Sequence, residues 1–120
     1  MSLDAGERAM KYFEHAIRID RNSVVAHFGL AKLYEEYAVI PDHEERAIKE
    51  YLHVIELNSN HYKALTQVGM LLLKQERFEE AADKIKRAIA INKEYHPAQL
   101  VMGQLLLETG NAESAVKFFG

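Results

Sequence analysis

The chain of 120 residues contains no cysteine and no tryptophan, and only two prolines and six glycines. Without cysteine it can form no disulfide, no thiolate metal site and no thiol nucleophile. The absence of cysteine fits an oxidising or a reducing compartment equally well. No apolar run approaches the roughly 18 residues that span a membrane. The net charge of −3, with both signs interspersed, predicts neither a basic face nor a basic tail, which argues against a nucleic-acid or anionic-membrane partner. We expect a soluble protein and favour the cytoplasm.

Residues 62–95 form the unit around which the chain is organised. Apolar residues recur at helical spacing from Ala64 to Lys74, and a second such set begins at Phe78. The short polar stretch between them predicts two antiparallel helices. Gly69 lies in the middle of the first helix, where it costs roughly 1 kcal/mol relative to alanine. Close approach of the second helix would offset this cost, so Gly69→Leu should destabilise by roughly 1–3 kcal/mol through overpacking.

Most of the chain repeats this unit. One column of small residues is complete in all four copies, Ala9, Ala47, Ala81 and Ala115. The last two steps in this column are 34 residues long and the first is 38, so four residues are inserted, within 38–41. We favour one extra helical turn before Pro41, because four residues make about one turn. The alternative is a partner-binding knuckle that carries Val39 and Ile40.

With these columns the chain resembles the tetratricopeptide repeat family, whose pattern places Leu, Gly and Tyr columns before Ala and Phe columns. The Leu, Gly and Tyr columns hold Leu30, Val68 and Met102, then Ala31, Gly69 and Gly103, then Tyr34, Leu72 and Leu106. The Phe column holds Phe13, Tyr51, Ile85 and Phe119. The family's Trp column holds His27, Leu65 and Gln99, and its late Pro column is not kept.

The resemblance implies an all-α fold, a right-handed α-solenoid of antiparallel helix pairs with about seven helices. We divide the single domain 1–120 into a half repeat 4–23, a repeat 24–61 with the insertion, a repeat 62–95 and a partial repeat 96–120. Two capping boxes, Asp4 with Glu7 and Asp42 with Glu45, should start their helices. We expect a fragment of a longer solenoid whose uncovered ends favour end-to-end self-association.

The sequence contains one motif that could serve chemistry. Glu50 and His53 have the Glu-x-x-His spacing of carboxylate-bridged metal sites. Such sites need a second Glu-x-x-His pair and two further carboxylates. Tyr51, between them, should face the core. His27 should be a packed, hydrogen-bonded residue rather than a ligand. We therefore predict no catalytic residue, no metal, no cofactor and no enzymatic activity.

The resemblance also implies a concave groove, lined by the first helices of successive repeats, that holds a protein or peptide partner. Its columns fall on Phe28, Lys32, Glu35, Thr66, Met70, Leu73, Lys74, Leu100, Gln104 and Leu107. The family's clamp for a C-terminal carboxylate is not expected, because only Lys32 is basic among the clamp columns. An apolar strip with charged edges instead favours an amphipathic helix.

Two functions remain open. The first is a protein–protein interaction module, part of a scaffold or adaptor. The second is a structural spacer or self-association segment of a larger repeat protein, with no ligand of its own. Leu73 and Leu107 distinguish them, because in the second case they only pack between neighbouring helices. In the first case, Leu73→Glu and Leu107→Glu should abolish binding and leave the melting temperature nearly unchanged.

Overall fold

The structure, a computed structural model, describes residues 4–110, and within them six helices and no strand. The helices are α1 (Ala5–Ile19), α2 (Val24–Glu36), α3 (His43–Leu57), α4 (Tyr62–Lys74), α5 (Phe78–Ile91) and α6 (His96–Glu108). The predicted all-α class is confirmed, and α3 and α5 begin at the predicted residues. The seventh predicted helix, from Asn111, lies outside the described residues, as do Ala115 and Phe119.

The chain forms two compact units, Met1–Ser59 and Asn60–Gly120. In the first unit α1 packs on α2 and α2 on α3, while in the second α4 packs on α5, α5 on α6, and α4 also contacts α6. The core of the first unit consists of Leu30, Ala31, Ala47, Ile48, Tyr51 and Val54. The core of the second consists of Leu65, Val68, Leu72, Ala81, Ile85, Ala88 and Met102.

Glycines allow the closest approach of helices in both units. A Cβ atom added at Gly69 of α4 would lie 2.5 Å from Cδ1 of Ile85 in α5, so the predicted helix contact at Gly69 is confirmed. A Cβ at Gly29 of α2 would lie 2.3 Å from Cε1 of Phe13 in α1. Gly103 is buried in α6, and its predicted partner helix lies outside the described residues.

Polar side chains fix several helix starts. The N–H of Glu7 donates to Asp4 Oδ1 at 2.8 Å, and the N–H of Ala26 donates to Ser23 Oγ at 3.2 Å. Each bond satisfies one of the four backbone N–H groups that a helix leaves without a partner at its start. Of the first predicted capping box, the hydrogen bond to the Asp4 side chain is therefore present.

The insertion is not helical. Helix α2 ends at Glu36, and residues 37–42 form an irregular turn in which the N–H of Ile40 donates to the Tyr37 carbonyl at 3.1 Å. The predicted extra helical turn is therefore wrong. The cause is Pro41, which in a continued helix has no N–H to donate to the Tyr37 carbonyl and whose ring would clash with that carbonyl. The turn leaves Val39 88 % exposed.

The second predicted capping box is also wrong. Asp42 precedes α3 with a left-handed backbone, φ 55°, and its side chain makes no capping hydrogen bond. A capping side chain reaches the first turn of a helix from an extended backbone. The turn of the insertion puts Asp42 in another conformation, so the Asp42 half of the predicted box is absent.

Candidate functional site: an exposed leucine face on α6

The outer side of α6 carries three of the predicted groove residues. Leu100, Gln104 and Leu107 lie at i, i+4 and i+7, which places them on one face of the helix. Leu100 is 53 % exposed and Leu107 62 % exposed. Other apolar residues of α6, among them Val101 and Leu105, are buried. Helix α6 therefore has one buried apolar side and one exposed apolar side.

Helix α4 contributes two predicted residues to the surface of the same unit. Met70 is half-buried and Lys74 is exposed. Thr66 and Leu73 are buried, and the Thr66 hydroxyl donates to the Tyr62 carbonyl at 2.9 Å. Leu73 is only 3 % exposed, so the expectation that Leu73→Glu leaves the melting temperature unchanged is replaced by a large loss of stability.

The starts of α4 and α6 are joined by two tyrosines. The rings of Tyr62 and Tyr95 meet edge to face with their centroids 4.9 Å apart. Burial raises the pKa of Tyr95, and the neighbouring Tyr62 adds to this effect. The Tyr95 phenol therefore stays neutral near pH 7, and the ring contact fixes α6 against α4 at the N-terminal ends of the two helices.

Two of the three predicted groove residues of the first unit contact buried Tyr51. The Tyr51 hydroxyl donates to Glu35 Oε1 at 2.6 Å, and its ring meets the ring of Phe28 edge to face, with centroids 5.7 Å apart. The ammonium of Lys32 lies 5.9 Å from the centre of the Phe28 ring. Phe28 and Glu35 thus contact the core of their own unit, whereas Lys32 is exposed.

The residues of the candidate metal motif surround His27. Nδ1 of His27 lies 2.6 Å from Glu50 Oε2, and Nε2 lies 2.9 Å from the Arg21 carbonyl oxygen. The His53 ring lies beside it, at a centroid distance of 4.2 Å. His27 is therefore the packed, hydrogen-bonded residue that was predicted. Within residues 4–110, no three His, Asp or Glu side chains are grouped so that they could hold a metal ion.

One surface of α1 was not predicted from the sequence. Arg8, Lys11 and His15 lie on the exposed side of α1 together with Tyr12. Two cations, Arg8 and Lys11, thus share one face of α1. Glu7 and Glu14 alternate with these cations in the sequence, which hides their shared face. The spacing i, i+3 and i+7 was the signal that could have found them.

None of the helices in the part of the chain that the structure describes is both long and apolar enough to cross a membrane.

Comparison with known proteins identifies the repeat. The family model described as tetratricopeptide repeat matches residues 72–120. A crystal structure of MamA superposes on 95 % of this chain with a TM-score of 0.81 and 20 % identity. Pseudomonas aeruginosa PilF superposes on 95 % of the chain with a TM-score of 0.81 and 24 % identity. A tetratricopeptide repeat protein of Parabacteroides merdae superposes on 95 % with a TM-score of 0.82 and 20 % identity.

The chain spans only part of these proteins. It covers 60 % of the MamA chain, 50 % of the PilF chain and 43 % of the Parabacteroides merdae chain. At these identities the likeness shows the fold. Residues 72–120 thus carry the tetratricopeptide repeat sequence pattern, and the chain has the fold of tetratricopeptide repeat proteins.

Proposed function

We propose that the chain is a protein–protein interaction module that binds an amphipathic helix of a partner protein. The binding site is the α6 surface, which we define as Leu100, Gln104 and Leu107 of α6 with Met70 and Lys74 of α4. The observation that carries the proposal is the exposure of Leu100 and Leu107 on one face. The proposal assigns no catalysis, no cofactor and no nucleic acid to the chain.

The energetics of the two leucines support this site. Full burial of a leucine side chain contributes about 1.5–3 kcal/mol. Leu100 and Leu107 are both more than half exposed, so much of that free energy is left for association. Leucines seven residues apart match the i and i+7 anchors of a helix that lies along a groove.

Polar groups at the edges of the α6 surface would orient the partner. Gln104 lies between the leucines and can both donate and accept hydrogen bonds. The charge of Lys74 favours a carboxylate on the partner helix. We expect such edge contacts to set orientation and association rate more than affinity.

The alternative function is a structural spacer or self-association segment of a larger protein. It is favoured by the burial of Thr66 and Leu73 and by the contacts of Phe28 and Glu35 with Tyr51. In these positions the predicted groove residues serve the chain itself. End-to-end association would use half-exposed residues of α1, namely Met10, Phe13 and Ile17.

The test begins with a partner captured on the wild-type chain, identified by mass spectrometry and purified. Isothermal titration calorimetry then compares the wild type with Leu100→Glu/Leu107→Glu. Because both leucines are exposed, the variant should keep its melting temperature and lose binding by at least about a hundredfold, the loss of two anchors of about 1.5 kcal/mol each. Val39→Glu is the matched control, since Val39 is a more exposed apolar residue of the other unit.

Two results would contradict the proposal. Binding that is lost in Val39→Glu and kept in the leucine variant would move the site to the insertion turn. A wild-type chain that binds no protein, while its melting temperature rises with its own concentration, would favour the self-association segment.

A further inference from the structure

The exposed side of α1 carries basic and aromatic side chains in one cluster. Arg8, Lys11, Tyr12 and His15 line a shallow cleft of about 290 Å³. Tyr12 is 76 % exposed. The other side of α1 packs on α2, where the Phe13 ring occupies the space beside Gly29. The cluster therefore lies away from the core of its own unit.

Arg8 and Lys11 form no ion pair with any residue that the structure describes. Among the described residues, neither Arg8 nor Lys11 has a carboxylate oxygen within 4 Å of its side-chain nitrogens. Elsewhere on the surface some cations are paired, as Arg77 is with Glu80 at 2.9 Å. Two cations beside an exposed tyrosine are thus available to a ligand with negative charge.

We propose that the α1 face, defined as Arg8, Lys11, Tyr12 and His15, binds a short acidic segment of a partner protein. The face extends over eight residues of helix, a rise of about 10 Å, which fits a few residues of a peptide. Opposite charge favours and orients the encounter. The exposed ring of Tyr12 adds apolar contact, and tyrosine is a frequent anchor of protein interfaces.

The surroundings of the face favour a short segment over an extended polyanion. Residues 1–59 contain 7 Lys and Arg against 11 Asp and Glu, so the charge of the first unit is −4. Duplex DNA or an anionic membrane would meet this negative surface over a large area and be repelled. A short acidic segment contacts the α1 face alone. The proposal is independent of the α6 surface, which lies in the other unit and has an apolar centre.

The experiment uses the full chain and a fluorescein-labelled peptide in which two glutamates stand on each side of a leucine. Fluorescence anisotropy measures its binding at low ionic strength and again at about 0.3 M NaCl, where screening shortens the range of the charges. We expect Arg8→Glu/Lys11→Glu to weaken binding by about tenfold or more, and Tyr12→Ala to weaken it by about fivefold. Salt should weaken the wild-type complex in the same direction.

The matched control is Lys63→Glu/Lys93→Glu, which changes the net charge equally at two exposed lysines of the other unit. It should change binding by less than about twofold, apart from long-range effects that salt removes. Circular dichroism checks that each variant keeps its helices. The proposal is overturned if the control weakens binding as much as the α1 variant does, or if the wild type does not bind the peptide. It is also overturned if a DNA duplex or a phosphatidylserine vesicle binds more tightly than the peptide.

Discussion

Replacing Gly69 by alanine should destabilise the chain, although alanine is the better helix former. At an open helix position this change stabilises by about 1 kcal/mol. Here the new Cβ would lie 2.5 Å from Cδ1 and 2.7 Å from Cγ1 of Ile85, which is fully buried and has little room to move. Overpacking of this kind costs about 1–3 kcal/mol. The net change should lie between zero and about 2 kcal/mol of destabilisation.

A double-mutant cycle separates the two effects. Ile85→Ala removes both contacting atoms and by itself should cost about 2–5 kcal/mol. In that background Gly69→Ala should become stabilising by about 1 kcal/mol, because only the helix propensity remains. The coupling between the two positions should therefore be about 1–3 kcal/mol, within the range found for residues in direct contact.

The assay is urea unfolding followed by far-ultraviolet circular dichroism at 25 °C. The difference between Lys86→Gly and Lys86→Ala, at an exposed position in the middle of α5, measures the helix propensity term in this chain. If Gly69→Ala is stabilising by the same amount with Ile85 present and absent, the glycine does not lie at a helix contact. The assigned register of α4 against α5 would then be incorrect.

Three further predictions concern single side chains. Leu73→Glu should cost more than about 2 kcal/mol because it places a carboxylate at a buried site, whereas Leu107→Glu should stay within about 0.5 kcal/mol in the same urea titration. Burial lowers the pKa of His61, so below about pH 6.5 the unfolded chain binds a proton that the folded chain resists, and stability should fall as the pH drops. His61→Asn should remove this slope while keeping a side chain that can accept the cap bond. Glu50→Ala should cost about 1–3 kcal/mol in thermal melts, because it leaves Nδ1 of His27 buried without its carboxylate.

Helix positions followed from the sequence because local chemistry determines them. Apolar spacing and polar turns placed α3 and α5 at their observed starts. In the alanine column, Ala47 and Ala81 are fully buried and Ala9 is half-buried. These features repeat along the chain, so each copy supports the assignment of the next.

The conformation of the insertion was not predicted correctly from the sequence. The number of inserted residues gives the repeat register but does not give the backbone conformation. Four added residues equal one helical turn in length, yet Pro41 turns the backbone out of the helix before the turn is complete. The same turn leaves Asp42 with a left-handed backbone, which removes the capping geometry that its sequence match with Glu45 suggested.

The candidate site was predicted in part. Helical periodicity put Leu100 and Leu107 on one face, and both are exposed. It could not separate them from Leu73, because all three are leucines in equivalent helices and burial depends on packing between helices. The contact of His27 with Glu50 joins residues 23 apart in sequence, so no local pattern could reveal it.

The most direct test of the proposed function is a leucine and valine methyl NMR spectrum of the chain, recorded while the captured partner is added. Methyl signals report the immediate surroundings of each side chain. The account predicts that the signals of Leu100 and Leu107 shift and saturate with the partner, while those of buried Leu65 and exposed Val39 stay in place. Unchanged signals of Leu100 and Leu107 at saturating partner would contradict it.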